Sequence, residues 1–181
     1  MVRGKHVVYL ALRPPPEAAA EALARLDAHP LRRRLTARPT APARLHVSLN
    51  PIGDFKRPPT PIFDKVLKAV GQVDHPSFDV AFNRLGTWGR ADPPPVVLWG
   101  DEGVIGVQSL FSAIHKALWR VDMAPRREPE IAPHMTLAYD RVPVPETFVE
   151  PVRWTAAEFV LIHAVHGERR FDVVGQVPLR R

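Results

Sequence analysis

Two short stretches decide how this chain is read: ARLHVSLN at 43–50 and APHMTLAY at 132–139. Each holds the pattern His-x-Ser/Thr-Leu, as His46-Val47-Ser48-Leu49 and as His134-Met135-Thr136-Leu137. Successive side chains of a strand point to opposite faces, so His46 shares a face with Ser48, and His134 shares one with Thr136. Val47, Leu49, Met135 and Leu137 then turn to the core. A chain of 181 residues with 8 His, and with the Ser, Thr and Leu content of this one, is expected to contain about 0.04 such patterns by chance. This one contains two.

His134 follows His46 by 88 residues, and the same shift brings other segments into register. Val8–Leu10 falls on Val96–Leu98. The first half of the helix expected over Glu17–Ala28 falls on a second helical stripe, Val107, Leu110, Phe111, Ile114 and Leu118. Strand, helix, strand therefore occurs twice, which predicts two similar lobes related by a pseudo-twofold axis.

The remaining segments fill in an α+β pattern. Val7–Leu12 is a short apolar strand stopped by Pro14, Pro15 and Pro16. Arg44–Asn50 alternates and predicts a strand. Thr60 is placed to cap a helix with Pro61 in its first position, and Ile62, Phe63, Val66, Leu67 and Val70 form its apolar stripe. Ser77–Leu85, Val96–Trp99 and His134–Tyr139 are expected as strands. Trp154–Val165 is expected as one longer strand, and Arg170–Val177 as the last. Arg32–Pro42, Gly86–Pro95 and Ala124–Glu130 are expected as loops. No stretch resembles a flexible linker, so residues 1–181 are expected to form a single bilobal domain, monomeric.

Composition bounds the function. At 45% hydrophobic and 24% charged residues, the chain is globular rather than disordered. No apolar run reaches the ~18 residues of a transmembrane helix. The N-terminus lacks a signal-peptide pattern, so a cytoplasmic protein without membrane contact is expected. With 0 Cys, disulfides, thiolate zinc sites and a cysteine nucleophile are excluded. The net charge is +6. Arginines cluster at Arg32, Arg33, Arg34, Arg38 and Arg44, at Arg126 and Arg127, and at Arg169, Arg170, Arg180 and Arg181. Such a balance favours a polyanionic partner such as RNA. A GC-rich coding sequence would also enrich Arg, Ala and Pro together, so charge alone does not decide it.

The paired motifs carry the chemistry. Displacement at phosphorus needs a base beside the attacking oxygen and an acid beside the leaving one, and imidazole serves both roles near neutral pH. Two hydroxyls can donate hydrogen bonds to the non-bridging phosphate oxygens. Imidazolium and hydroxyl donors then stabilise the charge, so no metal or other cofactor is expected. Other patterns are absent: no nucleotide-binding glycine loop and no Gly-x-Ser-x-Gly. His163 and His166 fall on opposite faces of a strand and predict no metal site. His163 shares a face with Phe159 and Leu161 and is expected to pack there or line the cleft. His6, His29, His75 and His115 are expected to be solvated. Trp88, Phe55 and Tyr139 could stack on a base, although ordinary packing explains each of them.

In Leu45-His46-Val47-Ser48-Leu49 and Pro133-His134-Met135-Thr136-Leu137-Ala138 the chain resembles the two-histidine (2H) phosphoesterases, the LigT-like or 2′-5′ RNA ligase family. The resemblance covers nearly the whole chain in order and spacing. It implies a bilobal fold of two pseudo-twofold-related lobes, each with an antiparallel-type sheet and helices packed outside, and an active cleft between them. It implies a phosphodiesterase that opens a 2′,3′-cyclic phosphate at an RNA end to a 2′-phosphate, with some members joining or cleaving 2′-5′ linkages. By position, His46 matches the proton donor to the leaving oxygen, and His134 the proton acceptor that activates water. Ser48 and Thr136 match the phosphate-holding hydroxyls. RNA-processing members often carry an arginine after the second Thr-Leu-Ala; this chain has Tyr139, then Asp140 and Arg141. A small cyclic nucleotide-type phosphate or a 2′-5′ oligonucleotide is therefore an alternative substrate to RNA ends. A non-catalytic, basic RNA-binding protein is the alternative of another class.

Overall fold

The computed structural model describes residues 5–168 and 171–181. Arg169 and Arg170, the latter expected to open the last strand, lie outside the described residues, as do Met1–Gly4. The elements in chain order are β1 (His6–Leu12), α1 (Pro16–Ala28), β2 (Val47–Phe55), α2 (Thr60–Val70), β3 (Phe78–Thr87), β4 (Pro95–Trp99), α3 (Ile105–Trp119), β5 (His134–Tyr139), β6 (Thr147–Ala156), β7 (Glu158–Val165) and β8 (Phe171–Pro178). The strands form an 8-stranded sheet in the order β6-β3-β4-β5-β2-β1-β7-β8. Every neighbouring pair is antiparallel.

The sheet divides at its centre, where β2 and β5 share one pair of partners, Val47 and Met135. One half-sheet is β6-β3-β4-β5 and the other is β2-β1-β7-β8. A twofold operation at that joint exchanges β2 with β5 and β1 with β4, as the 88-residue repeat of the sequence requires. The expected α+β fold with two related halves is what the chain adopts.

Why the helices pack as they do follows from their small and apolar faces. Ala18, Ala19, Ala22 and Leu26 of α1 are buried, and α1 lies over β6 and β5 of the opposite half-sheet. Val107, Leu110, Phe111, Ile114 and Leu118 of α3 are all buried, as their spacing predicts. Gly106 lets α3 come this close, because a Cβ there would stand 2.3 Å from the Phe78 ring. Val8, Leu10 and Leu12 of β1 face this helical layer in the main core, and a fully buried leucine stabilises by about 1.5–3 kcal/mol. Tyr9 and Ala11 face the other way, packing with Val160 and Ile162. That second face carries the motif side chains.

Several expectations need correction. Residues 154–165 are two strands, broken at Ala157, and they belong to different half-sheets. With strands ~4.8 Å apart, a flat sheet would put β6 and β7 far beyond the reach of one residue, so the sheet curls. Contacts on that side agree: Leu179 N donates to Ala157 O (2.8 Å) and Ser77 N to Arg180 O (2.7 Å). Thr60 is the first residue of α2 rather than its cap; Pro59 holds the cap position and no side chain caps it. Strand β2 begins at Val47, so His46 stands just before it. His29, His75 and His115 are buried, not solvated. His75 bonds Ser109 Oγ (3.0 Å) and the Pro76 carbonyl (2.7 Å), which compensates its burial. His6 stacks on His163 with ring centroids 5.1 Å apart.

Candidate active site

The register at the joint fixes the geometry of the motifs. With Val47 opposite Met135, one residue further each way sets His46 across from Thr136 and Ser48 across from His134. Val47, Met135, Leu49 and Leu137 are buried, so the two imidazoles and two hydroxyls are left on the opposite, open face. All four line one cleft of about 540 Å³ together with Arg38, Pro39, Thr40, Ala41, Arg44 and Tyr139. Among the described residues no carboxylate lines it.

The two histidines are held in the same way. His46 Nδ1 lies 2.8 Å from the Arg44 carbonyl, and His134 Nδ1 lies 2.8 Å from the Ala132 carbonyl. A carbonyl only accepts, so each Nδ1 carries the proton and donates. That leaves Nε2 of each ring to give or take a proton. Both bonds reach back two residues, an equivalence that the repeat imposes.

The surroundings of the rings differ. His46 sits against Tyr9 (centroids 5.3 Å) and Phe171 (5.9 Å). His134 sits against Trp88 (5.2 Å), which also packs on Trp99 (4.8 Å). Burial pushes the His46 pKa below the usual histidine range; the bond to the Arg44 carbonyl opposes this, and the charges of Arg44, His134 and Arg13 add to it. Burial also pushes the Tyr9 phenol up to about 12, so it stays a hydrogen-bond donor near neutrality.

The basic loop before β2 is tied over the cleft by a buried carboxylate. Asp140 Oδ2 accepts from the backbone N–H groups of Thr36 (2.7 Å) and Ala37 (2.7 Å) and from the Thr36 hydroxyl (3.3 Å). Its Oδ1 accepts from Val142 N–H (2.9 Å). These bonds hold its pKa below the usual carboxylate range, the Val142 and Ala37 amides most of all. Thr40 N–H donates to Leu137 O (2.7 Å), fastening the loop to β5.

The structure thus gathers His46, Ser48, His134 and Thr136, and it adds Tyr139 at the cleft wall, 53% exposed. Of the first arginine cluster, Arg38 and Arg44 reach the cleft, while Arg32 pairs with Asp27 (2.7 Å). Arg126 and Arg127 are exposed but do not line it. Arg141 pairs with Asp92 (2.8 Å). Phe55 packs against the main core, away from the cleft. His163 bonds His6 (2.8 Å) and packs on Phe63 (5.4 Å). Tyr9 and the anchoring role of Asp140 were not visible in the sequence; Asp140 stands 104 residues from Thr36 in the chain. Among the described residues no three His, Asp or Glu side chains stand together as metal ligands. No helix among them is long and apolar enough to cross a membrane.

Known proteins bear on this arrangement. The family model "LigT like Phosphoesterase" matches residues 12–99. No curated protein matches the sequence. A crystal structure of E. coli LigT complexed with 3′-AMP is similar over 98% of this chain and 99% of that one, with TM-score 0.73 and 18% identity. The TT0787 protein of Thermus thermophilus is similar over 96% and 98%, with TM-score 0.72 and 20% identity. At such identities the structural likeness speaks for the fold.

Proposed function

We propose that this chain, whose residues 12–99 match the LigT-like phosphoesterase family model, is a 2H phosphoesterase that opens 2′,3′-cyclic phosphates at RNA 3′ ends to 2′-phosphates. The observation that supports this reading is the single cleft holding His46, Ser48, His134 and Thr136 with two arginines and, among the described residues, no carboxylate. Such a lining favours an anionic substrate.

In this reading Ser48 and Thr136 donate to the non-bridging oxygens of the cyclic phosphate. His134 Nε2 takes a proton from water, which attacks phosphorus. The bond from phosphorus to O3′ breaks, and His46 Nε2 gives its proton to that oxygen. The product is a 2′-phosphate and a free 3′-hydroxyl, and solvent returns the two rings to their starting protonation. With an RNA 5′-hydroxyl in place of water, the same exchange forms a 2′-5′ linkage. Imidazolium and hydroxyl donors stabilise the developing charge, so this scheme does not call on a metal.

The arriving phosphate also loads the donor. The positive neighbours of His46 disfavour its protonation in the free cleft, and a bound phosphodiester anion offsets them.

A second reading keeps the chemistry and changes the substrate to a small cyclic nucleotide-type phosphate. Tyr139 favours it, since it stands where an arginine would grip an RNA end. One assay tests both: pure protein, chelator present, with a 2′,3′-cyclic-phosphate RNA oligomer and a 2′,3′-cyclic mononucleotide. Turnover of the oligomer to a 2′-phosphate is the expected result. Turnover of the mononucleotide alone selects the second reading. Inertness toward both, with RNA bound, would leave a binding protein.

A further inference from the structure

The cleft holds more positive charge than a single phosphodiester needs. A cyclic phosphate carries one negative charge, and in the proposed reaction two hydroxyls and one imidazolium already meet it. Arg38 and Arg44 also line the same cleft. Among the described residues neither forms an ion pair. Several arginines elsewhere are engaged: Arg32 with Asp27, Arg84 with Asp101 and Glu146, Arg141 with Asp92, and Arg180 with Asp74.

The loop that carries them is built, not merely draped. Asp140 holds it at Thr36 and Ala37, directly before Arg38. The bond from Thr40 N–H to Leu137 O fixes it just after Arg38. Arg44 is anchored by its own N–H to Ala41 O (2.8 Å) and by its carbonyl to His46. Both guanidinium groups therefore extend from backbone held in place, which lowers the ordering cost of gripping an anion. Arginine also suits a phosphate better than a point charge does, because its planar fork can donate two parallel bonds.

We propose that Arg38 and Arg44 form a subsite for a second phosphate, distinct from the one cleaved and carried by the same substrate. The substrate class is then a nucleotide with a 2′,3′-cyclic phosphate and at least one further phosphate, as at the 5′ side of a terminal residue. A bare nucleoside cyclic phosphate leaves the subsite empty. This rests on the phosphodiesterase reading above and narrows it.

Two measurements test it. The first compares kcat/KM for adenosine 2′,3′-cyclic phosphate with and without a 5′-phosphate. The second compares binding of adenosine 2′-monophosphate with adenosine 2′,5′-bisphosphate by calorimetry. The 5′-phosphate should improve both by about tenfold or more, the size of charge-assisted hydrogen bonding. In Arg38→Gln/Arg44→Gln the preference should shrink to about threefold or less, Arg38→Lys/Arg44→Lys should recover part of it, and salt should erode it in the wild type. No preference in the wild type, or a preference that survives the double glutamine variant, would overturn the subsite. Tighter bisphosphate binding with neither cyclic substrate turned over would uphold the subsite and overturn the reaction.

Discussion

Val47 stands opposite Met135, and this pair joins the two half-sheets. Both side chains are fully buried. The local twofold passes through them, and so each catalytic candidate faces the hydroxyl of the other motif rather than its own. His46 lies across from Thr136, and His134 across from Ser48. A phosphate centred over the joint meets one imidazole on each side. In-line displacement asks for that arrangement, and a single motif could not supply it.

Removing either imidazole should cripple turnover without unfolding the chain. His46→Ala and His134→Ala should each lower kcat by ~10²–10⁴-fold, the range of a general acid or base. Both rings are only partly buried, so far-ultraviolet circular dichroism and the melting temperature should stay near wild type. Near-normal rates in either variant would remove that histidine from the mechanism.

The hydroxyls should matter less. Ser48→Ala and Thr136→Ala should each cost about 1–3 kcal/mol of transition-state stabilisation, the value of a hydrogen bond to a charged group. Thr136→Ser keeps the donor and should be mild. Alanine variants with wild-type kcat/KM would mean that the hydroxyls do not touch the phosphate.

The pH profile should be a bell whose two apparent pKa values belong to the coupled histidines. His46 is depressed in the free cleft, chiefly by burial. Whichever proton role it takes, one limb of the bell in kcat/KM should therefore lie below the usual histidine range. The bound anion reverses part of the depression, so the same limb in kcat should lie at higher pH. Profiles of kcat and kcat/KM measured on the same preparation check the shift, and identical limbs in both would overturn it.

Asp140 should link stability to the cleft. Asp140→Ala leaves backbone amides of Thr36, Ala37 and Val142 without their acceptor, at a cost of about 2–4 kcal/mol. Urea titration should show the loss, and turnover should fall as the arginine loop comes free. The sign with pH follows from its lowered pKa. The Asp140 contribution is fully present above the unfolded carboxylate value of about 4 and is lost as pH falls through the folded value. Acid denaturation of the variant should therefore be less steep than that of the wild type.

Much of this site was legible in the sequence because its signal is local. The motifs and the stripe of α3 each depend on spacing within one element, and the repeat is a match between such short local patterns. What stayed hidden depends on partners far along the chain. Residues 154–165 hold no Gly or Pro to mark a break, and Ala157 interrupts them only because the two flanking runs serve different half-sheets. His115 lies on the buried face of α3, where its polarity masked its position in the stripe. Asp140 follows a strand as an ordinary turn residue would, and only the folded loop turns it into an anchor. Arg38 and Arg44 looked like the other arginines of their cluster until the loop brought them to the cleft.

The order of strands also sets a schedule for synthesis. Half-sheet β6-β3-β4-β5 is one unbroken segment of the chain, from Phe78 to Ala156. Its counterpart is assembled from both ends, β1 and β2 first and β7 and β8 last. On a ribosome adding about 5–20 residues per second, β1 and β2 must wait roughly 5–20 s after β2 emerges before β7 arrives to cover the open edge of β1. During that wait β1 presents an unpaired, valine- and leucine-rich edge, the kind of surface that invites aggregation. The nascent chain is therefore most vulnerable before β7 appears, and a truncation that removes β7 and β8 would leave that edge permanently open.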